Sequence, residues 1–286
     1  MPAEPSKIGS MVTDHTLTLH GSDFHYTECG DRNAPPIVML HGVTGHARTW
    51  DAEGAALATR YRVLALDQRG HGDTDPPADA DYSMVSLSGD LAAFADALGL
   101  QTFGIVALSL GGRVAIHYAA AHPTRVTRLV VVDIGPDVAP AGRARVGQVM
   151  ATAPEHFATI DDVVAYQRAS NPRYSEALLR ARVEHGVRPL PGGGFTWKYD
   201  RGLRDLVRAG RWNDPIDLWP AWTALACPTL LVRGALSDIL SAETATKMID
   251  AQPRARLVEV ADAGHTVPGD QPEAFVKLLG EFFDVR

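Results

Sequence analysis

Short, nearly unbroken apolar runs recur along the chain: Ile37-Val38-Met39-Leu40, Val63-Leu64-Ala65-Leu66, residues 103–108, and Leu129-Val130-Val131-Val132. A strand covered by helices on both faces has this character, because neither face meets water. Helical patterns fill the gaps, notably over 85–98 and 110–121. Strands alternating with helices predict right-handed crossovers and a mostly parallel sheet, an α/β fold. Ahead of this rhythm, two alternating stretches, 16–20 and 24–29, flank Gly21-Ser22-Asp23 and predict an antiparallel hairpin.

The rhythm breaks near Gly135. Residues 136–222 carry helical stretches, Gly192-Gly193-Gly194 and several tryptophans, with no central strand. Strand-like runs resume at 228–234 and 256–260, and an amphipathic helix over 271–283 follows. The pattern predicts one core domain, 1–135 and 223–286, interrupted by a helical cap, or lid, at 136–222. Internal repeats and low-complexity tracts are absent from the sequence.

Composition narrows the function classes. The 286 residues are 45% hydrophobic and 21% charged, ordinary for a globular protein. A net charge of -7 argues against a nucleic-acid partner, which needs clustered Lys and Arg. No run approaches the roughly 18 apolar residues of a membrane span, and the first residues lack the apolar segment of a secretory signal. Cys29 and Cys227 stand far apart with no metal-ligand spacing, which reads as free thiols in a reducing compartment. These features predict a cytoplasmic protein, monomer or homodimer, acting on a small molecule with no metal, nucleic acid or membrane.

Three places carry chemistry. In Val106-Ala107-Leu108-Ser109-Leu110-Gly111-Gly112 a buried strand ends, one Ser follows, and a helix starts at once. This is the context of the G-x-S-x-G nucleophile elbow, with Ala107 in place of the first Gly. The bland alternative is a helix start capped by a Ser. Leu40-His41-Gly42-Val43-Thr44-Gly45 ends an earlier strand; the N–H groups of Val43 and Leu110 are the candidate oxyanion donors. Ala263-Gly264-His265-Thr266 follows the last strand, and His265 is the candidate base, since a Ser hydroxyl needs one near neutral pH. His71 in the 67–72 loop reads as a loop organiser.

Two residues compete for the acid that would orient His265. Asp238 follows the penultimate strand, but lies four residues after Gly234, where three is the commoner spacing and Ser237 stands. Asp133 ends the strand beside the nucleophile strand, and its tip opens on the same edge. Either carboxylate can hold an imidazole, and either can instead cap a turn. In the insertion, Arg143 and Arg145 are candidates for binding a substrate carboxylate. Trp197 and Tyr199 are candidate walls of an acyl pocket, with solvated Arg and packed aromatics the alternative. Trp50, Trp212, Trp219 and Trp222 read as packing residues.

Together, His41-Gly42-Val43, Asp67-Gln68-Arg69-Gly70-His71-Gly72, the Ser109 elbow and Gly264-His265 resemble the α/β-hydrolase superfamily over nearly the whole chain. The resemblance implies an eight-stranded sheet with an antiparallel second strand, a helical cap after strand six, and no cofactor. A Ser at 109 sets aside the branches whose nucleophile is Asp. Residues 132–136 and 233–241 are similar to bacterial hydrolases related to (acetamidomethylene)succinate hydrolase, which implies the acid after strand six and favours Asp133. A serine hydrolase of a small carboxylic ester, amide or lactone is the expected activity. A cofactor-free C–C hydrolase or perhydrolase would share these residues, and a non-catalytic receptor would keep the fold. No G-x-G-x-x-G follows the first parallel strand, which sets aside a dinucleotide-binding protein.

Overall fold

In the computed structural model, which describes residues 12–210 and 216–284, the apolar runs sort by alternation onto two faces. The strands, in chain order, are β1 (Thr13–Leu19), β2 (Ser22–Cys29), β3 (Pro36–Leu40), β4 (Arg62–Leu66), β5 (Phe103–Leu108), β6 (Val126–Val132), β7 (Val187–Pro189), β8 (Phe195–Trp197), β9 (Thr229–Gly234) and β10 (Ala255–Val260). All but β7 and β8 form one eight-stranded sheet in the order β1-β2-β4-β3-β5-β6-β9-β10. Only the pairings of β2, with β1 and with β4, are antiparallel in this sheet.

The helices are α1 (Asp51–Leu57), α2 (Met84–Ala97), α3 (Leu110–Ala121), α4 (Pro140–Thr152), α5 (Ile160–Ser170), α6 (Glu176–Gly186), α7 (Arg201–Arg208), α8 (Trp219–Thr223), α9 (Ala242–Ala251), α10 (Val267–Asp270) and α11 (Pro272–Phe282). Successive strand residues point to opposite faces. Val38, Leu40, Ile105, Ala107, Leu129 and Val131 therefore meet Phe94 of α2, Tyr118 of α3 and Met248 of α9. Ile37, Met39, Val106, Leu108, Val130 and Val132 meet Trp50, Leu57 of α1, and Phe275 and Leu279 of α11. Two cores sandwich the sheet, which explains why its central strands read as continuous apolar runs.

The β1–β2 turn is tighter than the sequence suggests. Leu19 pairs with Ser22, so the loop is His20-Gly21 alone, with φ of 53° and 83°. Both central residues have positive φ, as in a type I′ turn, whose twist suits a hairpin; Ser22 and Asp23 join the strand.

Helices α4 to α7 and the β7–β8 ribbon lie between β6 and β9 outside the large sheet. Phe157, Val163, Tyr174, Leu179, Trp197 and Tyr199 give this insertion a core of its own. Its last helix departs from that pattern. Trp222 of α8 is fully buried in the sheet's core and donates its indole N–H to Met248 O at 2.7 Å. Trp50 is buried likewise, Trp219 donates to Asp137 (3.1 Å), and Trp212 lies outside the described residues. Cys29 and Cys227 are free and buried. Among the described residues no helix is long and apolar enough to cross a membrane.

Truncating Trp222 removes a filled core volume and leaves the Met248 carbonyl without its donor. We expect Trp222→Ala to lower stability by about 3–5 kcal/mol in urea unfolding; a loss under about 1 kcal/mol would show that α8 does not anchor the core.

Candidate active site

Strand β5 ends at Leu108 and α3 begins at Leu110, so Ser109 alone must turn the chain. It does so at φ 53° and ψ -118°, a conformation that residues with a Cβ seldom adopt. Small neighbours make the turn possible. A Cβ on Gly111 would stand 2.6 Å from Leu40 O, and one on Gly42 would stand 3.1 Å from Ser109 Cβ. Ala107, fully buried on β5, fills the position where the motif more often has glycine. The backbone of the turn is fixed from both sides, with Ser109 N donating to Val132 O (3.1 Å) and Arg113 N donating to Ser109 O (3.1 Å).

Two loops, one after β6 and one after β10, complete the arrangement. His265 Nε2 lies 2.9 Å from Ser109 Oγ, and its Nδ1 lies 2.9 Å from Asp133 Oδ2. With the proton on Nδ1, the ring donates to the carboxylate and accepts from the hydroxyl. Asp133 is fully buried. Its Oδ1 accepts from Gly234 N at 2.9 Å, and its Oδ2 also accepts from the Ser237 hydroxyl. A buried carboxylate so saturated has one position available.

Of the two candidate acids, the structure brings Asp133 and not Asp238 to the imidazole. Asp238 turns instead to α4, where Arg145 donates to it from Nε (2.5 Å) and Nη2 (2.8 Å). That fork holds the Asp238 carboxyl below the usual carboxylate range. The same pairing engages Nε and Nη2 of Arg145, the candidate carboxylate anchor, which also borders the cavity containing Ser109. Gly142 allows this contact: a Cβ there would sit 2.2 Å from Asp238 O.

Arg143 is exposed and has no hydrogen bond or ion pair from its side chain among the described residues. Trp197 borders a cavity of about 700 Å³ that also holds Ser109 and His265, and donates its indole N–H to Pro154 O (2.8 Å). Tyr199 does not border it. Its ring stacks on Trp197 at 5.8 Å inside the insertion's core, and burial raises its hydroxyl to about 12.

The loop carrying Val43 is held by a rigid lattice. His41 Nδ1 donates to Gly42 O (2.8 Å), its Nε2 accepts from Gln68 N (3.1 Å), and Gln68 Nε2 donates to His41 O (2.7 Å). Burial, with His71 nearby, lowers the His41 pKa to about 3, so the ring stays neutral and keeps this tautomer. The backbone N–H groups of Val43 and Leu110 donate to no protein acceptor among the described residues. Behind the loop, Asp67 accepts from Ala47 N (2.5 Å), Asp73 N (2.9 Å) and His25 Nδ1 (2.7 Å). Burial alone would raise the Asp67 pKa, yet the hydrogen bonds from His25 and from the Asp73 N–H bring it down to about 2. His25, Asp67 and Asp73 lie close together, but the Asp67 oxygens are already engaged by three N–H donors, so the trio serves as the hub of this loop. His71, donating to Arg69 O at 3.0 Å, organises the adjoining loop.

Sequence reasoning missed Arg173 and Asp270, which border the same cavity. Asp270 Oδ2 accepts from Gly264 N (2.7 Å), beside His265, and lies 4.0 Å from Arg173 Nη1; burial raises the Asp270 pKa. Neither residue falls in a motif or a periodic pattern, so nothing local marks them.

A Ser on a strained strand–helix turn, at the carboxyl edge of a mostly parallel sheet, is the geometry of a nucleophile-elbow hydrolase. The family model described as the alpha/beta hydrolase fold matches residues 35–272, and the chain belongs to that family. It is 29% identical to the 3-hydroxybutyrate-oligomer hydrolase of Cupriavidus necator, over 99% of either chain. It is 30% identical to an esterase of Mycobacterium tuberculosis, over 89% of this chain and 84% of that one. The crystal structure of E-2-(acetamidomethylene)succinate hydrolase superposes with a TM-score of 0.87 at 26% identity, covering 96% of this chain and 100% of that one. Family and relatives make the chain a hydrolase.

His46, at the cavity wall, donates from Nε2 to Arg182 O (3.0 Å), and burial lowers its pKa from 6.5 to about 4. A histidine depressed in the fold gains its proton first in the unfolded chain, so its contribution falls as pH drops from 6.5 toward 4. We expect the stability difference between wild type and His46→Gln to shift against wild type by about 2 kcal/mol from pH 7 to pH 5. Urea midpoints at the two pH values measure it, and a constant difference would show that His46 stays protonatable in the fold.

Proposed function

We propose that the protein is a serine hydrolase that cleaves a small carboxylic ester through an acyl-enzyme. The observation that carries this reading is the unbroken contact chain from Ser109 Oγ through the His265 ring to buried Asp133. As Ser109 Oγ bonds to the substrate carbonyl carbon, its proton passes to His265 Nε2, and Asp133 stabilises the imidazolium. The Val43 and Leu110 N–H groups hold the oxyanion. Collapse of the tetrahedral species breaks the ester C–O bond, and the alcohol leaves with the proton from His265. Water, deprotonated by the same nitrogen, then releases the acid and restores Ser109.

An esterase and an oligomer hydrolase among the relatives support an ester as substrate. Residues of the insertion, Met150, Arg173 and Trp197 among them, face Ser109 across the cavity, which supports its role as a cap that keeps bulk water from the acyl-enzyme.

Ser109→Ala should abolish turnover of p-nitrophenyl acetate and labelling by an organophosphate. Asp133→Asn should lower kcat by about 10³–10⁴-fold, whereas Asp238→Asn should stay within about tenfold of wild type. Full activity in Asp133→Asn, or equal losses in the two Asn variants, would sink this assignment.

A further inference from the structure

Ser109 sits where two cavities, each of about 700 Å³, come together; Val43, Ser109 and Val146 border both. Their other walls differ in the catalytic and charged groups that they carry. His265, Gly264 and Thr266 border the first, together with Arg145, Arg173 and Asp238. The second contains none of these. It is walled by Met84, Ile134, Val138, Leu206, Ile216 and Ile239, with Leu110 of the proposed oxyanion pair on its border.

Most polar groups on the second wall are engaged within the protein. The Tyr82 hydroxyl donates to Asp200. Arg113 Nη1 donates to the carbonyls of Gly135 (3.2 Å) and Pro136 (3.0 Å), and Ser83 Oγ accepts from Ser86 N. Arg143 is the exception, and its side chain is exposed to solvent. A chamber whose polar side chains are largely engaged elsewhere in the protein offers an occupant chiefly apolar contact.

We infer that the second cavity is the acyl chamber and takes an aliphatic chain, while the leaving alcohol lies in the first. This rests on the acyl-enzyme reading above, and the argument is one of proton delivery. The departing oxygen must take its proton from His265 Nε2, so the alcohol side of the ester has to lie in the cavity that His265 borders. The acyl carbon is bonded to Ser109 Oγ with its oxygen toward the Leu110 N–H. Its substituent then extends into the space that Ser109 and Leu110 share without His265. Trp197, expected from the sequence at an acyl pocket, stands on the alcohol side in this assignment.

Two matched ester series test it: p-nitrophenyl esters from acetyl to octanoyl, and acetate esters of alcohols from methanol to octanol. Burying a methylene in an apolar chamber should raise kcat/KM about threefold to fourfold per carbon in the acyl series until the chamber fills. Leu206→Trp and Val138→Trp narrow the chamber from two different elements, and each should cut the octanoyl-to-acetyl ratio of kcat/KM at least about tenfold. The octanol-to-methanol ratio should not follow. Circular dichroism melts verify that at least one of the two variants is folded. A wild type indifferent to acyl length, or variants that lower the alcohol ratio instead, would overturn the chamber assignment while leaving the acyl-enzyme intact. Failure to turn over any acetyl ester, with Ser109 unlabelled, would remove the acyl-enzyme itself.

Discussion

A single residue, Ser109, reverses the chain between a fully buried strand and the helix that packs back on it, and much of the molecule is shaped by that requirement. Holding a non-glycine residue at positive φ costs about 1–3 kcal/mol, so it persists only where the surroundings leave no alternative. Here β5 is clamped between β3 and β6, and α3 is pinned to the sheet by Val114 and Tyr118. With both ends fixed, the turn has no room to relax. Gly42, Gly111 and Gly112 are consequences of the same constraint, because a Cβ at any of them would collide with, or press hard against, the neighbouring strand tips. The strain places the hydroxyl at the sheet's edge and leaves the first N–H of α3 beside it, where the helix dipole favours negative charge.

The electrostatics around the turn follow from burial more than from charge. Asp133 is kept in place by the Gly234 N–H, the Ser237 hydroxyl and the His265 ring, with no arginine or lysine hydrogen-bonded to it among the described residues. The histidines that build the neighbouring loops are kept neutral: His41 and His46 are lowered to about 3 and about 4 by burial. A neutral His41 donates at one nitrogen and accepts at the other, which a protonated ring cannot do. The positive charge nearest the alternative acid, Arg145, is neutralised by Asp238 itself. The loop bearing Val43 is thus positioned by the hydrogen bonds of a His41 ring that stays neutral across the neutral range.

The insertion stands apart in packing. Its own cluster, centred on Phe157, Trp197 and Tyr199, holds part of it, while Met150 of α4 and Leu203 of α7 pack with Tyr82 of the core domain and α8 belongs to the sheet's core. Much of the cavity wall comes from α4, α5 and α7 of the insertion, whereas Ser109, Asp133 and His265 sit on loops at the ends of the sheet strands. This separates the reacting groups, fixed by the core, from the surfaces that would choose a substrate.

Much of this was legible in the chain alone. Continuous apolar runs marked the central strands because burial on both faces demands them, and the helix over 110–121 matches α3. Ser109, His265 and Val43 were legible because strand-end loops leave short motifs of Gly, Ser and His. What the chain could not settle locally was decided by contacts distant in sequence. Asp133 and Asp238 both follow strands, with Asp133 favoured by its place beside the nucleophile strand, and the structure decides between them by the imidazole arriving from 132 residues away while Arg145 takes the other carboxylate. Arg173, Asp270, the inward packing of Tyr199 and the pairing of two cavities at Ser109 are likewise products of how the insertion folds over the sheet. Periodicity reports which face a residue shows to the core; it carries no information about which partner waits there, and that is a property of the tertiary structure alone.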